Sequence, residues 1–219
     1  MQELKLEYYF KHMEEFSQKE IFENCTYVWE PLNKINNYLQ TKIVEPTIKI
    51  NKAKTGEFCS ITGNYFIDEG TRIGANVSIE GPVIIGKNVT IQSGALIRPG
   101  TIIGDNCVIG YSCEAKHSII WKGTRVGSGT ILANRRFDQK NIEIKIDGKK
   151  YNTETDFFGA IIGDNTRLGA NCTSIPGTLI GPYTWILPTI QVRGFIPAEK
   201  RILPKTEYII QDNQKIELK

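Results

Sequence analysis

Residues 61–114 divide into nine consecutive hexapeptides, ITGNYF, IDEGTR, IGANVS, IEGPVI, IGKNVT, IQSGAL, IRPGTI, IGDNCV and IGYSCE, and each begins with isoleucine. The fifth residue of nearly every hexapeptide is small or β-branched. A period of six fits neither the helical period of about 3.6 residues nor the two-residue period of a strand. It fits a unit in which a short strand and a corner return the chain to the same orientation, as in a hexapeptide β-helix.

This period also predicts how the coils stack. Three hexapeptides make one triangular coil of eighteen residues, so Ile61 would stack on Ile79 and Ile97, with neighbouring coils ~4.8 Å apart. Corners favour residues that tolerate unusual backbone angles, and Gly-x-Asn stands at several of them, as in Gly74-Ala75-Asn76. An ordinary β-sandwich is the alternative, and nine uninterrupted repeats argue against it. We therefore predict a mainly β protein built on a single-stranded parallel β-helix.

Composition divides the chain into three parts. Residues 1–45 are rich in Glu, Lys and aromatic residues, and they end in a stretch with apolar residues at helical spacing, which the Glu45-Pro46 pair should terminate. We predict that they form an N-terminal helical cap over the open end of the solenoid. Residues 46–197 are predicted to form the β-helix, and residues 198–219, which show no clear period, are predicted to form a C-terminal tail.

The repeat is interrupted twice. Residues 115–119 form a pentapeptide, and after Leu132 the pattern stops until Ile162. The insertion at residues 136–159 has alternating apolar residues around Asp147-Gly148, which predicts a β-hairpin with a type I′ turn. Because an insertion of this size usually carries function, we expect its basic residues either to line a ligand site or to clasp a neighbouring subunit.

Bulk composition is that of an ordinary soluble globular protein, with 40% hydrophobic residues, 23% charged residues and a net charge of +3. No apolar run approaches the ~20 residues of a membrane-spanning helix, and the first residues lack the apolar core of a signal peptide. We therefore expect a cytoplasmic protein without a membrane partner, and the mild charge gives no argument for nucleic acid. The five cysteines lack a Cys-x-x-Cys pair, which argues against a disulfide framework and a zinc ribbon.

Several segments of the chain resemble one known family. These segments are Leu96–Thr101, Glu114–Ser118, Gly127–Asn134, Ile21–Glu30, Phe158–Asp164 and Val192–Pro197. They resemble the acetyltransferase domain of the bifunctional N-acetylglucosamine-1-phosphate uridylyltransferase/glucosamine-1-phosphate acetyltransferase family, above all its branch of short, archaeal-type sugar-phosphate transferases. The resemblance implies a left-handed β-helix, a homotrimer with active sites between neighbouring β-helices, and acetyl-coenzyme A as cosubstrate.

The resemblance also assigns site residues. In the family, the arginine of an Arg-Pro-Gly corner and the lysine of a Glu-x-Lys segment hold the sugar phosphate, and the matching residues here are Arg98 and Lys116. The asparagine that ends the Gly-x-Gly-Thr segment contacts the sugar and corresponds to Asn134. The arginine of the last regular coil helps to bind coenzyme A and corresponds to Arg193, and Ala170 is assigned to the same cofactor site.

A basic stretch lies between residues 125 and 150. Its members are either solvated surface charges or ligands of a phosphate group, since arginine offers a bidentate fork and lysine a point charge. From this stretch we add Arg125 and Arg135 to the predicted sugar-phosphate site. Arg125 stands where the resembling family tends to have asparagine.

The family's catalytic histidine has no counterpart at its usual place. The coil that would carry it is missing, because Trp121–Thr124 runs directly into Arg125–Gly127. His117 is the one histidine inside the β-helix and is the candidate general base, with Glu114, Asp138 or water as alternatives. Two functions are therefore open: a coenzyme-A-dependent acyltransferase that acts on an amino sugar phosphate, and a non-catalytic protein that binds a sugar phosphate or a nucleotide sugar.

Two related activities are not expected. Nucleotidyl transfer in the family belongs to a preceding α/β domain, and residues 1–45 are too short to hold one. Zinc sites of carbonic-anhydrase-like β-helices use three histidines, whereas this chain has only His12 and His117, so no metal is predicted.

Overall fold

The computed structural model describes residues 1–41 and 49–205. Most of residues 49–205 form a parallel β-helix with three sheets, one on each face of a triangular prism, which confirms the predicted fold class. The predicted helix end at Glu45-Pro46 and residues 206–219 of the predicted tail lie outside the described residues. Among the described residues, no helix is long and apolar enough to cross a membrane.

Each face is a ladder of short parallel strands, to which successive coils contribute in turn. The first face consists of Lys49–Asn51, Tyr65–Ile67, Val83–Ile85, Thr101–Ile103, Ile119–Ile120, Ala160–Ile162, Thr178–Ile180 and Phe195–Ile196. The second face consists of Lys54–Thr55, Arg72–Ile73, Thr90–Ile91, Val108–Ile109, Arg125–Val126, Arg167–Leu168, Trp185–Ile186 and Arg201–Ile202. The third face consists of Ser60–Thr62, Ser78–Glu80, Leu96–Ile97, Glu114–Ala115, Ile131–Leu132, Thr173–Ser174 and Gln191–Val192. The ladder of the second face thus continues beyond residue 197, where the tail was predicted to begin.

The register follows the isoleucine period. Ile85 pairs with Ile103, eighteen residues further on, as predicted. The pentapeptide shortens the next coil to seventeen residues, so Ile103 pairs with Ile120. Across the insertion, Ile120 pairs with Ile162. All four isoleucines are fully buried inside the β-helix, which explains why their spacing is restored after each interruption.

The insertion forms the predicted β-hairpin. Glu143–Ile146 pairs with Lys149–Asn152 in antiparallel register, and Asp147 and Gly148 have φ angles of 46° and 78°. Positive φ at both central residues is what a type I′ turn requires. Three isoleucines bury the hairpin against the outside of the first face: Ile142, Ile144 and Ile146. The hairpin itself therefore lies on the side of the solenoid, and of the insertion only Phe157, near its C-terminal end, lines the pocket described below.

The N-terminal residues form short helices that lie along the side of the β-helix and not over its open end, where the cap was predicted. The helices are Gln2–Leu4, Leu6–Tyr9, Met13–Glu15, Lys19–Phe22 and Glu30–Thr41. Their contacts run down the first face, from Phe16 beside Gly86 to Tyr8, whose hydroxyl accepts a hydrogen bond from the N–H of Ala198.

The reason for this position is the apolar outer side of the first face. Six of its strands direct an apolar residue outward: Phe66, Ile84, Ile102, Ile119, Ile161 and Leu179. These side chains form one buried cluster with the N-terminal helices and the hairpin. Because exposure of so much apolar surface to water is unfavourable, the first face needs a cover along its length.

Candidate functional site

A pocket lies at the corner where the third face meets the first face. Its volume is about 320 Å³. Its walls are formed by Arg98, Pro99, Lys116, His117, Asn134, Arg135 and Phe157. Stacking brings these residues together, because Leu96–Ile97 pairs with Glu114–Ala115, which in turn pairs with Ile131–Leu132, and each strand is followed by pocket residues. Five of the predicted site residues therefore meet in one pocket.

The two predicted phosphate ligands share a carboxylate. Glu114 Oε1 lies 3.0 Å from Lys116 Nζ and 3.7 Å from Arg98 Nη1, and Glu80 Oε2 lies 3.3 Å from Arg98 Nε. Such partly exposed ion pairs add little to stability, but they hold the two cations in place. Both cationic side chains have more N–H donors than these pairs use, so donors are left for an anion that enters the pocket.

The backbone holds His117 against the pocket wall. Its φ angle is 43°, its N–H donates to the carbonyl of Pro99 at 3.1 Å, and its own carbonyl accepts from the N–H of Gly159 at 2.7 Å. The imidazole lies over Gly100, which has a φ angle of 78°. A Cβ at position 100 would come within 2.5 Å of the ring carbon Cδ2, so only glycine leaves room for the ring here.

The imidazole also contacts Asn134. Nδ1 of His117 lies 3.2 Å from the amide nitrogen of Asn134. In one arrangement the amide group donates to Nδ1, and Nε2 carries the proton. In the other, with the amide turned over, its oxygen accepts from Nδ1–H and Nε2 is free to accept a proton. The orientation of the Asn134 amide therefore decides whether Nε2 of His117 donates a hydrogen bond into the pocket or can accept a proton from it.

The surroundings favour the neutral imidazole. Burial lowers the pKa of His117 below its usual value, the charge of Arg98 lowers it further, and the carboxylate of Asp156 acts in the opposite direction. At neutral pH the ring is therefore unprotonated and can take up a proton. Asp138, an alternative base, differs: Arg136 donates to it at 2.7 and 2.5 Å and holds its pKa at about 2, which makes it a weak base.

Phe157 is a pocket residue that the sequence did not predict. It comes from the end of the insertion, where an antiparallel bridge joins it to Arg135. Its ring stacks on the imidazole of His117 at a centroid distance of 5.4 Å, and the guanidinium of Arg135 lies 4.9 Å from the same ring. The insertion thus contributes Phe157 to the pocket, and Arg135 is the residue just before the insertion. The one signal in the sequence was an aromatic residue just before the repeat resumes.

The other three predicted site residues lie elsewhere. Arg125 begins a strand of the second face, which is opposite the corner that holds the pocket. Ala170 is half-buried at the corner between the second and third faces. Arg193 is exposed and follows the third-face strand Gln191–Val192. It occupies the same outward row as Lys116, three coils further on, which corresponds to ~14 Å.

One group of possible metal ligands occurs in the described part of the chain. Ligand atoms of His12, Glu14 and Glu15 lie within 4.8 Å of one another at the surface. Glu15 also forms an ion pair with Lys122. This group belongs to the N-terminal segment and contributes no residue to the pocket.

Comparison with known proteins shows the family of the chain. The family model for the GMPPB C-terminal domain matches residues 79–135, and the model for the hexapeptide repeat of succinyl-transferase matches residues 159–182. The putative uncharacterized acetyltransferase YaiX of Escherichia coli is 30% identical over 180 residues, which are 74% of this chain and 77% of YaiX. The chain belongs to the hexapeptide-repeat transferases.

This hexapeptide-repeat transferase is also similar to bifunctional archaeal proteins, as the sequence motifs predicted. It is 36% identical over 148 residues to the bifunctional sugar-1-phosphate nucleotidylyltransferase/acetyltransferase of Sulfurisphaera tokodaii. It is 34% identical over 200 residues to the bifunctional protein GlmU of Methanococcus vannielii. These alignments cover 52% and 84% of this chain, but the chain spans only 37% and 47% of the two relatives.

Proposed function

We propose that this hexapeptide-repeat transferase moves an acetyl group from acetyl-coenzyme A to the amine of an amino sugar phosphate. The observation that carries the proposal is the pocket, in which three cations, a neutral imidazole and an amide converge at one corner. Cations bind phosphate, an amide hydrogen-bonds to hydroxyl groups, and a neutral imidazole accepts a proton. The Sulfurisphaera relative, named for sugar-1-phosphate nucleotidylyltransferase and acetyltransferase activities, supports the same substrate class.

In the proposed complex, Arg98 and Lys116 bind the phosphate group. Its oxygens accept from the N–H donors that the ion pairs with Glu114 and Glu80 leave free, and charge-assisted hydrogen bonds of this kind are about twice as strong as neutral ones. Asn134 hydrogen-bonds to the sugar, and Arg135 lies at the rim, where Asp156 holds it at 3.7 Å. This leaves the amine of the sugar facing His117.

The proposed chemistry is attack of the sugar amine on the thioester carbonyl. A C–N bond forms, the C–S bond breaks, and the electron pair of that bond leaves with the sulfur. Nε2 of His117 removes a proton from the attacking nitrogen and passes it to the sulfur, so coenzyme A leaves as the thiol. This role requires the arrangement in which Nδ1–H donates to the amide oxygen of Asn134.

We place the coenzyme along the third face. The outward row between Lys116 and Arg193 consists of Ala133 and Ile175, which are both half-buried. This apolar strip suits the aliphatic arm of the coenzyme, and Arg193 at its far end suits one of its phosphate groups. Ala170, at the corner between the second and third faces, lies at the opposite edge of the third face from this strip.

We also propose a homotrimer, in which a neighbouring β-helix covers the apolar strip and closes the pocket. Ile131 on the same face is 40% exposed in the single chain, as expected of a residue that a second copy covers. Sedimentation at micromolar concentration should show three chains per particle. A monomer under these conditions would contradict both the trimer and a site shared between chains.

The alternative is a protein that binds a sugar phosphate without acetyl transfer. It is favoured if the amide of Asn134 donates to Nδ1 of His117, because Nε2 then carries a proton and cannot act as a base. Titration calorimetry separates the two functions. A transferase binds both acetyl-coenzyme A and glucosamine 1-phosphate, whereas the alternative predicts binding of the sugar phosphate alone.

Arg98→Ala should weaken the binding of glucosamine 1-phosphate by about 10- to 100-fold, because charge-assisted hydrogen bonds to the phosphate are lost. Titration calorimetry measures this effect. Arg193→Ala is the matched control, since it removes the same side chain from the same face but outside the pocket. It should leave sugar-phosphate affinity unchanged and weaken acetyl-coenzyme A binding instead. Equal losses of sugar-phosphate affinity in the two variants would contradict binding in the pocket.

A further inference from the structure

The first coil of the described β-helix has an unusually short corner between the first and second faces. Asn51 pairs with Ile67 and Lys54 pairs with Arg72. Two residues of the first coil therefore span the corner that four residues span in the second coil. The first coil cannot cover the whole corner of the second, and a pocket of about 400 Å³ opens there.

The short corner also leaves a backbone donor without an acceptor. In the third coil, the N–H of Asn88 donates to the carbonyl of Glu69 in the coil before it, at 3.0 Å, and later coils repeat this bond. Gly70 holds the same place in the second coil. In the described part of the chain, no carbonyl or side chain accepts from the N–H of Gly70. Because Gly70 lines the pocket, this N–H is available to a ligand.

Three cationic residues line this pocket, and no aspartate or glutamate does. The lining residues are Lys52, Lys54, Gly70, Thr71, Arg72 and Asn88. Lys54 and Arg72 are exposed register partners, so their Cα atoms lie ~4.8 Å apart. Within residues 1–41 and 49–205, neither of these two side chains forms an ion pair. Their charges repel each other and attract an anion.

The nearby carboxylates are already neutralised by other cations. Asp68 Oδ1 lies 3.4 Å from Lys52 Nζ and accepts from the N–H of Glu69 at 2.8 Å. Glu69 Oε1 lies 3.0 Å from Lys87 Nζ. These two ion pairs cancel in charge, so the positive charges of the two register partners remain at the corner without a counter-ion.

This pocket is separate from the pocket that contains His117. It lies at the corner between the first and second faces, whereas the His117 pocket lies at the corner between the third and first faces, and the two share no residue. Arg125 is also remote, because it begins the third strand beyond Arg72 in the ladder of the second face.

We propose that Lys54, Arg72 and the N–H of Gly70 form a binding site for the phosphate group of a small ligand. The guanidinium group can bind two phosphate oxygens, the ammonium group adds a point charge, and the backbone N–H donates to a further oxygen. The bound anion removes the repulsion between the two cations. Because no aromatic or apolar side chain lines the pocket, the phosphate group provides most of the recognition. This site does not depend on the proposed acetyl transfer.

The test is a titration of the full chain with inorganic pyrophosphate, followed through the amide resonance of Gly70 by NMR. This resonance reports on the pocket itself, so anions that bind near His117 do not obscure the result. The amide proton should shift downfield and reach saturation, because the N–H gains an acceptor. Lys54→Gln and Arg72→Gln should each weaken binding by about 10- to 100-fold. Both side chains are exposed, so both variants should fold.

Arg201→Gln is the matched control. It removes an exposed cation from the same ladder of the second face, but at the opposite end of that ladder, and should change the affinity by less than about twofold. A Gly70 resonance that does not shift would overturn the site. An equal loss of affinity in Arg201→Gln would also overturn it, because binding would then follow the general charge of the face.

A second titration, with uridine diphosphate, distinguishes two sources of the phosphate group. An affinity similar to that of pyrophosphate indicates that free phosphate is the ligand. A higher affinity that Arg72→Gln lowers indicates an organic phosphate, whose phosphate group the same donors hold. Binding of either probe that Arg72→Gln leaves unchanged would contradict the site.

Discussion

Replacing His117 with alanine should lower the rate of acetyl transfer by about 10²- to 10⁴-fold, which is the usual contribution of a general base. His117 is held at the pocket wall, and its lowered pKa keeps it neutral, so it is able to take the proton of the attacking amine. The measurement is kcat for thiol release from acetyl-coenzyme A with saturating glucosamine 1-phosphate. Asp138→Ala is the control and should be fully active, because Arg136 holds Asp138 as a weak base. Full activity in His117→Ala would mean that Glu114 or water, and not His117, accepts the proton of the amine.

The pH dependence of kcat/KM tests the same role of His117 as a base, because the charge of Arg98 beside it shifts the pKa of the imidazole. The base form exists above the pKa of the imidazole, and burial and Arg98 lower that pKa. The acid limb of kcat/KM should therefore lie below the ordinary histidine value of about 6.5. Arg98→Ala removes a charge that lowers the pKa, so the limb should move to higher pH in this variant. If the acid limb of kcat/KM does not shift in Arg98→Ala, the group that titrates in the profile is not His117.

Replacing Trp121 with alanine should lower the free energy of unfolding by about 3–5 kcal/mol, because a large cavity opens in a closely packed cluster. The side chain is 2% exposed. Its ring contacts Phe10, Phe16 and Phe22 of the N-terminal segment at centroid distances of 4.8, 5.0 and 5.0 Å. Trp121 thereby connects the first face to the helices that cover it. Chemical denaturation followed by circular dichroism measures the loss.

Trp185 provides the control for this stability measurement. It is a tryptophan of the same β-helix, but it lies on the second face and is 54% exposed. Trp185→Ala should therefore change the free energy of unfolding by less than about 0.5 kcal/mol. Equal losses in the two variants would contradict the position of the N-terminal segment along the first face.

The stacking of the β-helix coils could be predicted from the sequence, because each inward residue of a solenoid stacks on a neighbour at a fixed spacing along the chain. Even the seventeen-residue coil between Ile103 and Ile120 followed from the pentapeptide. The N-terminal helices were expected over an open end of the β-helix but lie along its side, because the outward residues of the first face are apolar and need a cover. The outward apolar residues Ile84 and Ile102 were the signal that this face needs a cover.

The candidate site could be predicted where it depends on stacking. Arg98, Lys116 and Asn134 follow consecutive strands of the third face, so the repeat brings them together. Phe157 could not be predicted, because long-range packing decides the return path of a non-periodic insertion. Arg125 was added to the predicted site from its place in a basic stretch, and in the structure it begins a strand of the second face, outside the His117 pocket of the same chain. Counting back one residue from the inward Val126 would have placed it on the second face.

The most direct test of acetyl transfer in the His117 pocket is thiol release when the purified protein is mixed with acetyl-coenzyme A and glucosamine 1-phosphate. The predicted result is thiol release that depends on the sugar phosphate, is nearly lost in His117→Ala and needs a higher sugar-phosphate concentration in Arg98→Ala. The contradicting result is binding of the sugar phosphate without any thiol release, either with glucosamine 1-phosphate or with a panel of other amino sugars. This result would exclude acetyl transfer and favour the function of a sugar-phosphate-binding protein.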